Sequence, residues 1–114
     1  MPHRVGSLTP AVFHVLLALT GGERHGYAML KDILERSHGR VRMQAGTLYG
    51  TLERLLDLGW VEEVAPPADE VDARRRYYRL TTEGRASLAA EVARMDDLVR
   101  VARAARVTLK PRRS

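Results

Sequence analysis

"AGTLYGTLERLLDLGWVEEV", residues 45 to 64, changes its period once, and that change decides the fold. Up to Leu58 the apolar residues Leu48, Leu52, Leu55 and Leu56 recur at helical spacing, which predicts a helix from Ala45 to Leu58 with that stripe turned inward. Gly59 supplies the stop, because glycine enters the left-handed conformation that ends many helices at no steric cost. "WVEEV", 60 to 64, then reads as a short strand. Opposite the leucine stripe, Thr47, Gly50, Thr51, Arg54 and Asp57 are expected to point outward, with Tyr49 at the edge.

Downstream, "RYYRL" at 76 to 80 reads as the returning strand of a hairpin whose loop runs from Pro66 to Ala73. A period of two places Leu80, Tyr78 and Arg76 on one face and Tyr77, Arg75 and Arg79 on the other, so Tyr78 is expected inside and Tyr77 outside. Arg74, Arg75 and Arg76 are either a grip for something anionic or partners of Asp69, Glu70 and Asp72. Thr81 or Thr82 caps a last helix, with Glu83 favourably placed in its first turn. Along it Leu88, Val92, Met95, Leu98, Ala102, Ala105 and Leu109 follow at steps of 4, 3, 3, 4, 3 and 4, close to the spacing of helices that wrap one another. A helix of about 25 residues is roughly 38 Å long, too long for a body of 80 residues to cover. It is expected to pair with the same helix of a second copy, the alternative being packing along its own domain.

Upstream, Thr9 and Pro10 read as N-cap and first residue of a helix to about Leu19. Its apolar residues go nearly all the way round, which predicts contact with more than one neighbour. "TGGERHG", 20 to 26, is a breaker, and a helix from about Tyr27 to Arg36 groups Tyr27, Leu30, Ile33 and Leu34 on one face. "SHGRVRM", 37 to 43, has room for a turn and one short strand.

Composition bounds what this framework can do. The 114 residues suit one domain and contain no cysteine, so neither a disulfide framework nor thiolate chemistry is available. The longest apolar run, "VLLAL" at 15 to 19, is far short of the roughly 20 residues that cross a bilayer, and there is no signal-peptide pattern at the N-terminus. The chain is expected to be soluble and cytoplasmic, with no membrane partner. His3, His14, His25 and His38 lack companions at metal-ligand spacing, and neither a phosphate-cradling glycine loop nor a catalytic constellation is present, so no metal, no cofactor and no enzymatic activity are expected. His25, at a helix start, reads as a capping or packing group, and Trp60 as core. The net charge is +5, which suits an anionic partner; all of it arises from residue 94 onward, the first 93 residues being neutral. All but two of the 19 basic residues are arginine, which a genome rich in arginine codons would also produce.

Three helices followed by a charged hairpin is the element order of a winged helix-turn-helix. The fold expected is mainly α with a small β-hairpin: a winged helix-turn-helix domain over residues 8–81, a C-terminal dimerisation helix over 82–109 and a basic tail at 110–114. In such a domain the third helix enters the major groove and the wing reaches the adjacent backbone or minor groove.

"HGYAMLKDI" at 25 to 33, "GTLYGTLERLLDLGWVEE" at 46 to 63 and "RRRYYRLTTEGRASL" at 74 to 88, in this order and at this spacing, resemble the PadR family of bacterial transcriptional regulators, in particular its shorter members with a single C-terminal helix. The resemblance spans about residues 10 to 105. It implies a homodimeric repressor on palindromic double-stranded operator DNA, released in some members by a small aromatic effector. It also implies DNA contacts from Thr47 and Tyr49, although Tyr49 has the alternative of packing against the second helix. Gln44 and Ala45 stand where the family commonly has a serine and a proline, and Gly50 where a longer side chain is usual. Gln44 is left to cap the helix or reach adenine edges, and Thr51 and Arg54 to read bases, unless Arg54 pairs with Asp57 or Glu53. With Arg74, Arg75, Arg76 and Tyr77 on the wing, these form the candidate DNA-binding set. The candidate dimer contacts are Phe13, Leu16 and Leu17 on the first helix and Leu88, Val92, Met95, Leu98 and Ala102 on the last. The other reading is a winged-helix module that binds protein instead of operator DNA.

Overall fold

The computed structural model describes residues 8–106. The expected basic tail at 110–114, and Leu109 at the end of the proposed seam, lie outside these residues. The elements in chain order are α1 (Pro10–Ala18), β1 (Arg24–His25), α2 (Gly26–Arg36), α3 (Ala45–Leu58), β2 (Val61–Val64), β3 (Tyr77–Leu80) and α4 (Thr82–Ala104). Four helices and a three-stranded antiparallel sheet, with a wing loop between β2 and β3, make a winged helix-turn-helix with an added C-terminal helix.

α1 starts as its sequence demands. The Thr9 side chain accepts the Val12 N–H at 3.2 Å, and Pro10 occupies the first turn. Its all-round apolar surface is used, since α1 packs against α2, α3 and α4 and buries Val15, Leu16 and Ala18. α2 is capped by His25, whose Nδ1 accepts the Ala28 N–H at 3.2 Å. Its inward face is centred on Met29 and Ile33; Tyr27, expected on that face, is 67% exposed. α3 has the predicted bounds and ends on Gly59 at φ 78°. Gln44 occupies its N-cap position without a side-chain hydrogen bond, so the capping role expected of it is absent.

The sheet departs from a simple hairpin. Its order is β1-β3-β2, with Arg24 opposite Tyr78 and His25 opposite Tyr77 on one side of β3. On the other side Val61 faces Leu80 and Glu63 faces Tyr78. The third strand thus comes from the glycine-flanked breaker before α2. "SHGRVRM" contains no strand: it turns through His38 and Gly39, both at positive φ, and is held by the Ser37 hydroxyl, which accepts the Val41 N–H at 2.9 Å.

β3 is central, so both of its edges are paired; three of its four residues are buried and Arg79 is exposed. Tyr78 and Leu80 join the main core of Leu16, Met29, Ile33, Leu48, Leu52 and Leu55, while Tyr77 is buried outside it, against His25 and Glu70. Trp60 packs against the main core, partly exposed.

α4 opens on Thr81, whose hydroxyl accepts the Gly84 N–H at 3.0 Å. Only its first half touches the body. Gly84, Leu88 and Glu91 are buried, and Glu91 is held by a fork of two bonds from Arg94 at 2.6 and 3.0 Å. Arg94 keeps the Glu91 carboxyl below the usual carboxylate range. Beyond it Val92, Met95, Leu98, Val99 and Val101 are exposed, between 39% and 60%. Two expected dimer contacts are reassigned: Leu16 is 0% and Leu88 6% exposed, so both are spent inside the subunit. Phe13, Leu17 and Ala102 are partly exposed. No helix among the described residues is long and apolar enough to cross a membrane.

Candidate nucleic-acid interface

α3 is held by a buried stripe, Leu48, Leu52 and Leu55, which fixes what its other side presents. Gln44, Thr47, Gly50 and Arg54 are exposed. Arg54 takes part in none of the ion pairs among the described residues, so neither Asp57 nor Glu53 neutralises it. Thr51 is a correction. It is 3% exposed, and its position explains why: three residues after Leu48 and four before Leu55, it lies on the buried stripe. It supports the helix from inside and is not available to a ligand.

Tyr49 packs against α2, as the alternative reading expected, and keeps part of its surface exposed. Its ring lies over the start of α2, so that a Cβ on Gly26 would collide with the phenol, yet 47% of the residue is exposed. Between the start of α2, the front of α3 and the wing root lies a cleft of about 390 Å³, lined by Tyr27, Tyr49, Arg74, Arg75 and Arg76 among others.

The wing arginines are exposed, but each is paired with a carboxylate. Arg74 donates to Asp72 through Nε at 3.2 Å and Nη2 at 3.4 Å. Arg75 reaches Glu70 at 3.5 Å, and its Nη1 lies 3.2 Å from Nε2 of His25. Arg76 grips Glu63 of β2 with two bonds, at 3.1 and 2.8 Å. On the same strand Arg79 donates to Glu62 at 2.7 Å. The Arg74 and Arg76 hydrogen bonds hold Asp72 and Glu63 below their ordinary pKa values, so both are ionised around neutrality. Burial, reinforced by the Arg75 charge, lowers the His25 pKa and keeps the imidazole neutral.

Tyr77 is the second correction. Expected outside, it is 9% exposed, and its hydroxyl donates to Glu70, whose carboxylate also accepts the Asp72 N–H at 2.9 Å. The ring stands edge-on to His25 at 5.3 Å between centroids. Tyr77 therefore fastens the wing loop to the sheet. The Tyr77 bond is the first cause of the low Glu70 pKa, and the same bond raises that of Tyr77.

Three cations were missed in the sequence. In the turn before α3, Val41 and Met43 pack on the core while Arg40 and Arg42, alternating with them, stay exposed and without an ion-pair partner among the described residues. Lys31 lies one turn beyond Tyr27 on the exposed side of α2, also without a partner. The signal for the first two was the alternation in "GRVRM", which reads as a strand and also as two cations aimed one way.

Residues 15–90 match the sequence profile of the transcriptional regulator PadR-like family. No curated protein sequence matches the chain significantly. Among solved structures, a PadR family transcription regulator from Clostridium difficile superposes with a TM-score of 0.71 at 21% identity, covering 83% of this chain and 96% of its own. A transcriptional regulator from Clostridium thermocellum gives 0.68 at 24% identity, over 80% of this chain and 84% of its own. Bacillus subtilis PadR in complex with operator DNA gives 0.63 at 20% identity, over 73% of this chain and 46% of its own. At these identities the structural likeness is one of fold. The sequence match covers well over half of the 114 residues and contains the whole winged domain from the core of α1 to the start of α4, so the chain belongs to the PadR-like family of transcriptional regulators.

Proposed function

We propose that this regulator is a homodimeric repressor that reads a palindromic operator with α3 and holds the flanking backbone with the wing and the turn before α3. The observation that carries the reading is the face of α3: backed by a buried leucine stripe, polar, and bearing in Arg54 a guanidinium with no ion-pair partner among the described residues. Such a fork suits the paired acceptors of guanine in the major groove. A surface built to dock protein is expected to expose a cluster of aromatic or aliphatic anchors instead; here the large side chains exposed on α3 are Tyr49 at its front, beside the wing arginines, and Leu58 at its far end, nine residues apart and so in no single patch. The Bacillus subtilis relative of the same fold, seen on operator DNA, supports the same use of the domain. Two copies joined through α4 present two α3 helices, and the twofold symmetry of such a pair is what a palindromic site matches. An aromatic effector of the kind the family resemblance implies has its natural point of action at that junction, which sets the separation of the two reading helices.

In this reading Gln44, Thr47, Tyr49 and Arg54 face the groove, while Arg40, Arg42, Lys31, Arg74, Arg75 and Arg76 face phosphates. Thr51 and Tyr77 serve as supports. The test is electrophoretic shift on the DNA flanking the protein's own gene, repeated across salt concentrations. Affinity is expected to fall steeply with salt as counterions are released; a complex indifferent to salt would indicate the protein-docking module.

Arg54→Ala and Arg42→Ala separate the two kinds of contact. Loss of Arg54 is expected to relax base preference at one position of each half-site, at about 1–3 kcal/mol, with little change in salt slope. Loss of Arg42 should weaken all sequences alike and flatten the log–log salt slope by about 0.9 per phosphate released. Selection from a random-sequence duplex pool reads the first effect and a salt titration the second. An unaltered ranking of sites for Arg54→Ala removes that residue from the groove.

A further inference from the structure

Around the helix-turn-helix, Lys31, Arg40, Arg42 and Arg54 have no ion-pair partner among the described residues, whereas the four arginines of the wing root and β3 are all matched. From β2 to β3 the chain has Glu62, Glu63, Asp69, Glu70 and Asp72 against Arg74, Arg75, Arg76 and Arg79, an excess of one negative charge. A wing that is to lie along a polyanion is therefore acidic on balance, and its guanidiniums are in use before DNA arrives.

We propose that Asp72 and Glu63 are internal competitors for DNA phosphate, occupying the guanidinium forks of Arg74 and Arg76 that the wing must release to hold the backbone. This rests on the DNA-binding reading above and adds what limits it. A carboxylate and a phosphate present similar anionic oxygen pairs to a guanidinium fork, so each excludes the other from that fork. These pairs are open to solvent, with Arg74 91% and Arg76 63% exposed at the side chain, and exposed pairs are weak enough to exchange. Each exchange leaves a bare carboxylate beside the duplex, which repels it. The consequence is a reduced sequence-independent grip, so that residence on DNA depends on the groove contacts of α3.

Glu70 belongs to a different class. Its side chain is 7% exposed and holds the loop through Tyr77 and the Asp72 N–H, so its loss is expected to disturb the wing itself. Asp69, exposed and in no ion pair among the described residues, is the natural control: it has the same charge in the same loop without a guanidinium to release.

The experiment measures fluorescence anisotropy of the full chain on a mixed-sequence duplex of about 30 base pairs, from about 50 to 200 mM salt. Asp72→Asn keeps an oxygen for the Arg74 N–H, bonded at 2.9 Å, while removing the charge. It is expected to tighten binding about three- to tenfold at the lowest salt and steepen the salt slope by about 0.9 for each arginine released. Glu63→Gln, on a strand away from the loop turn, should act the same way through Arg76. Asp69→Asn should change affinity less than about twofold, and the gain from Asp72→Asn should vanish when Arg74 is alanine. Wild-type or weaker affinity in both Asp72→Asn and Glu63→Gln, or an equal gain from Asp69→Asn, overturns the competition and leaves DNA binding standing. No binding by wild type or variants at the lowest salt overturns the DNA reading, and the competition with it.

Discussion

Met95→Glu combined with Leu98→Glu is expected to give a folded monomer that binds operator DNA about 100- to 10,000-fold more weakly than the parent chain, the gain normally conferred by linking two binding modules. The expectation comes from where α4 runs. Up to Glu91 it is anchored to the body, and from Val92 to Val101 five large apolar residues are 39% to 60% exposed. An isolated helix of this length is only marginally stable in water, and a contiguous exposed apolar face marks an interaction surface. In the proposed dimer a second copy would contribute the same face in antiparallel or crossed arrangement and cover both at once. Two carboxylates in each seam would meet their symmetry mates in a desolvated junction, which reverses the sign of the contact. Sedimentation should report half the parent mass, and the thermal transition of the body should persist, because neither residue belongs to the core. Substitution at Leu16 or Leu88 should behave oppositely, lowering stability before it touches assembly, since both are buried within one subunit. Unchanged mass and unchanged DNA affinity in the double variant would sink the dimer reading.

What could be read in advance followed from how local the determinants are. α3 was legible to its ends because a leucine stripe and a terminal glycine are both written within 15 residues. The Thr9 and Thr81 caps were legible for the same reason, each being a side chain and an amide three residues apart. β1 was not. Two residues between glycines have no period, and they form a strand only because β3 is there to receive them. Tyr77 has a separate long-range cause: the wing loop brings Glu70 to its hydroxyl and β1 brings the His25 ring against it, whereas Arg79 on the same face stays exposed as alternation predicts. Thr51 was misread for a different reason, its chemistry having been weighed above its position on the wheel. The wing run "RRR" drew attention as a grip, whereas its pairing had to come from the fold. The partner of Arg76 is Glu63, 13 residues back and on the neighbouring strand, and no local rule connects them.

Gly84→Ala is expected to lower the melting temperature by about 10–20 °C, the equivalent of about 2–3 kcal/mol in a domain of this size, although helix propensity alone argues the other way. Alanine is the better helix former by about 0.8–1 kcal/mol. Against that stands the backbone of Trp60. A Cβ on Gly84 would lie 2.8 Å from the Trp60 carbonyl carbon and 3.1 Å from its Cα, with the carbonyl oxygen closer still. That oxygen cannot swing away, because it accepts the Thr81 N–H at 3.1 Å, while the Thr81 hydroxyl donates to the Gly59 carbonyl at 2.6 Å and caps Gly84. Relief has to come from moving the whole start of α4. Overpacking of this kind costs about 1–3 kcal/mol, and each hydrogen bond lost adds about 1 kcal/mol, which exceeds the propensity gain. Gly50→Ala is the matched comparison: an exposed helical glycine whose added methyl group meets nothing within 4 Å, expected to raise the melting temperature by a few degrees. The chain's single tryptophan is the residue against which α4 closes, so its fluorescence reports the same transition directly. Because α4 meets the wing domain at this contact, Gly84→Ala should also weaken DNA binding below its melting temperature, through the separation of the two α3 helices in the proposed dimer. If Gly84→Ala melts with or above the parent chain, α4 does not close on the Trp60 carbonyl, and the dimer helix is not registered to the wing in this way.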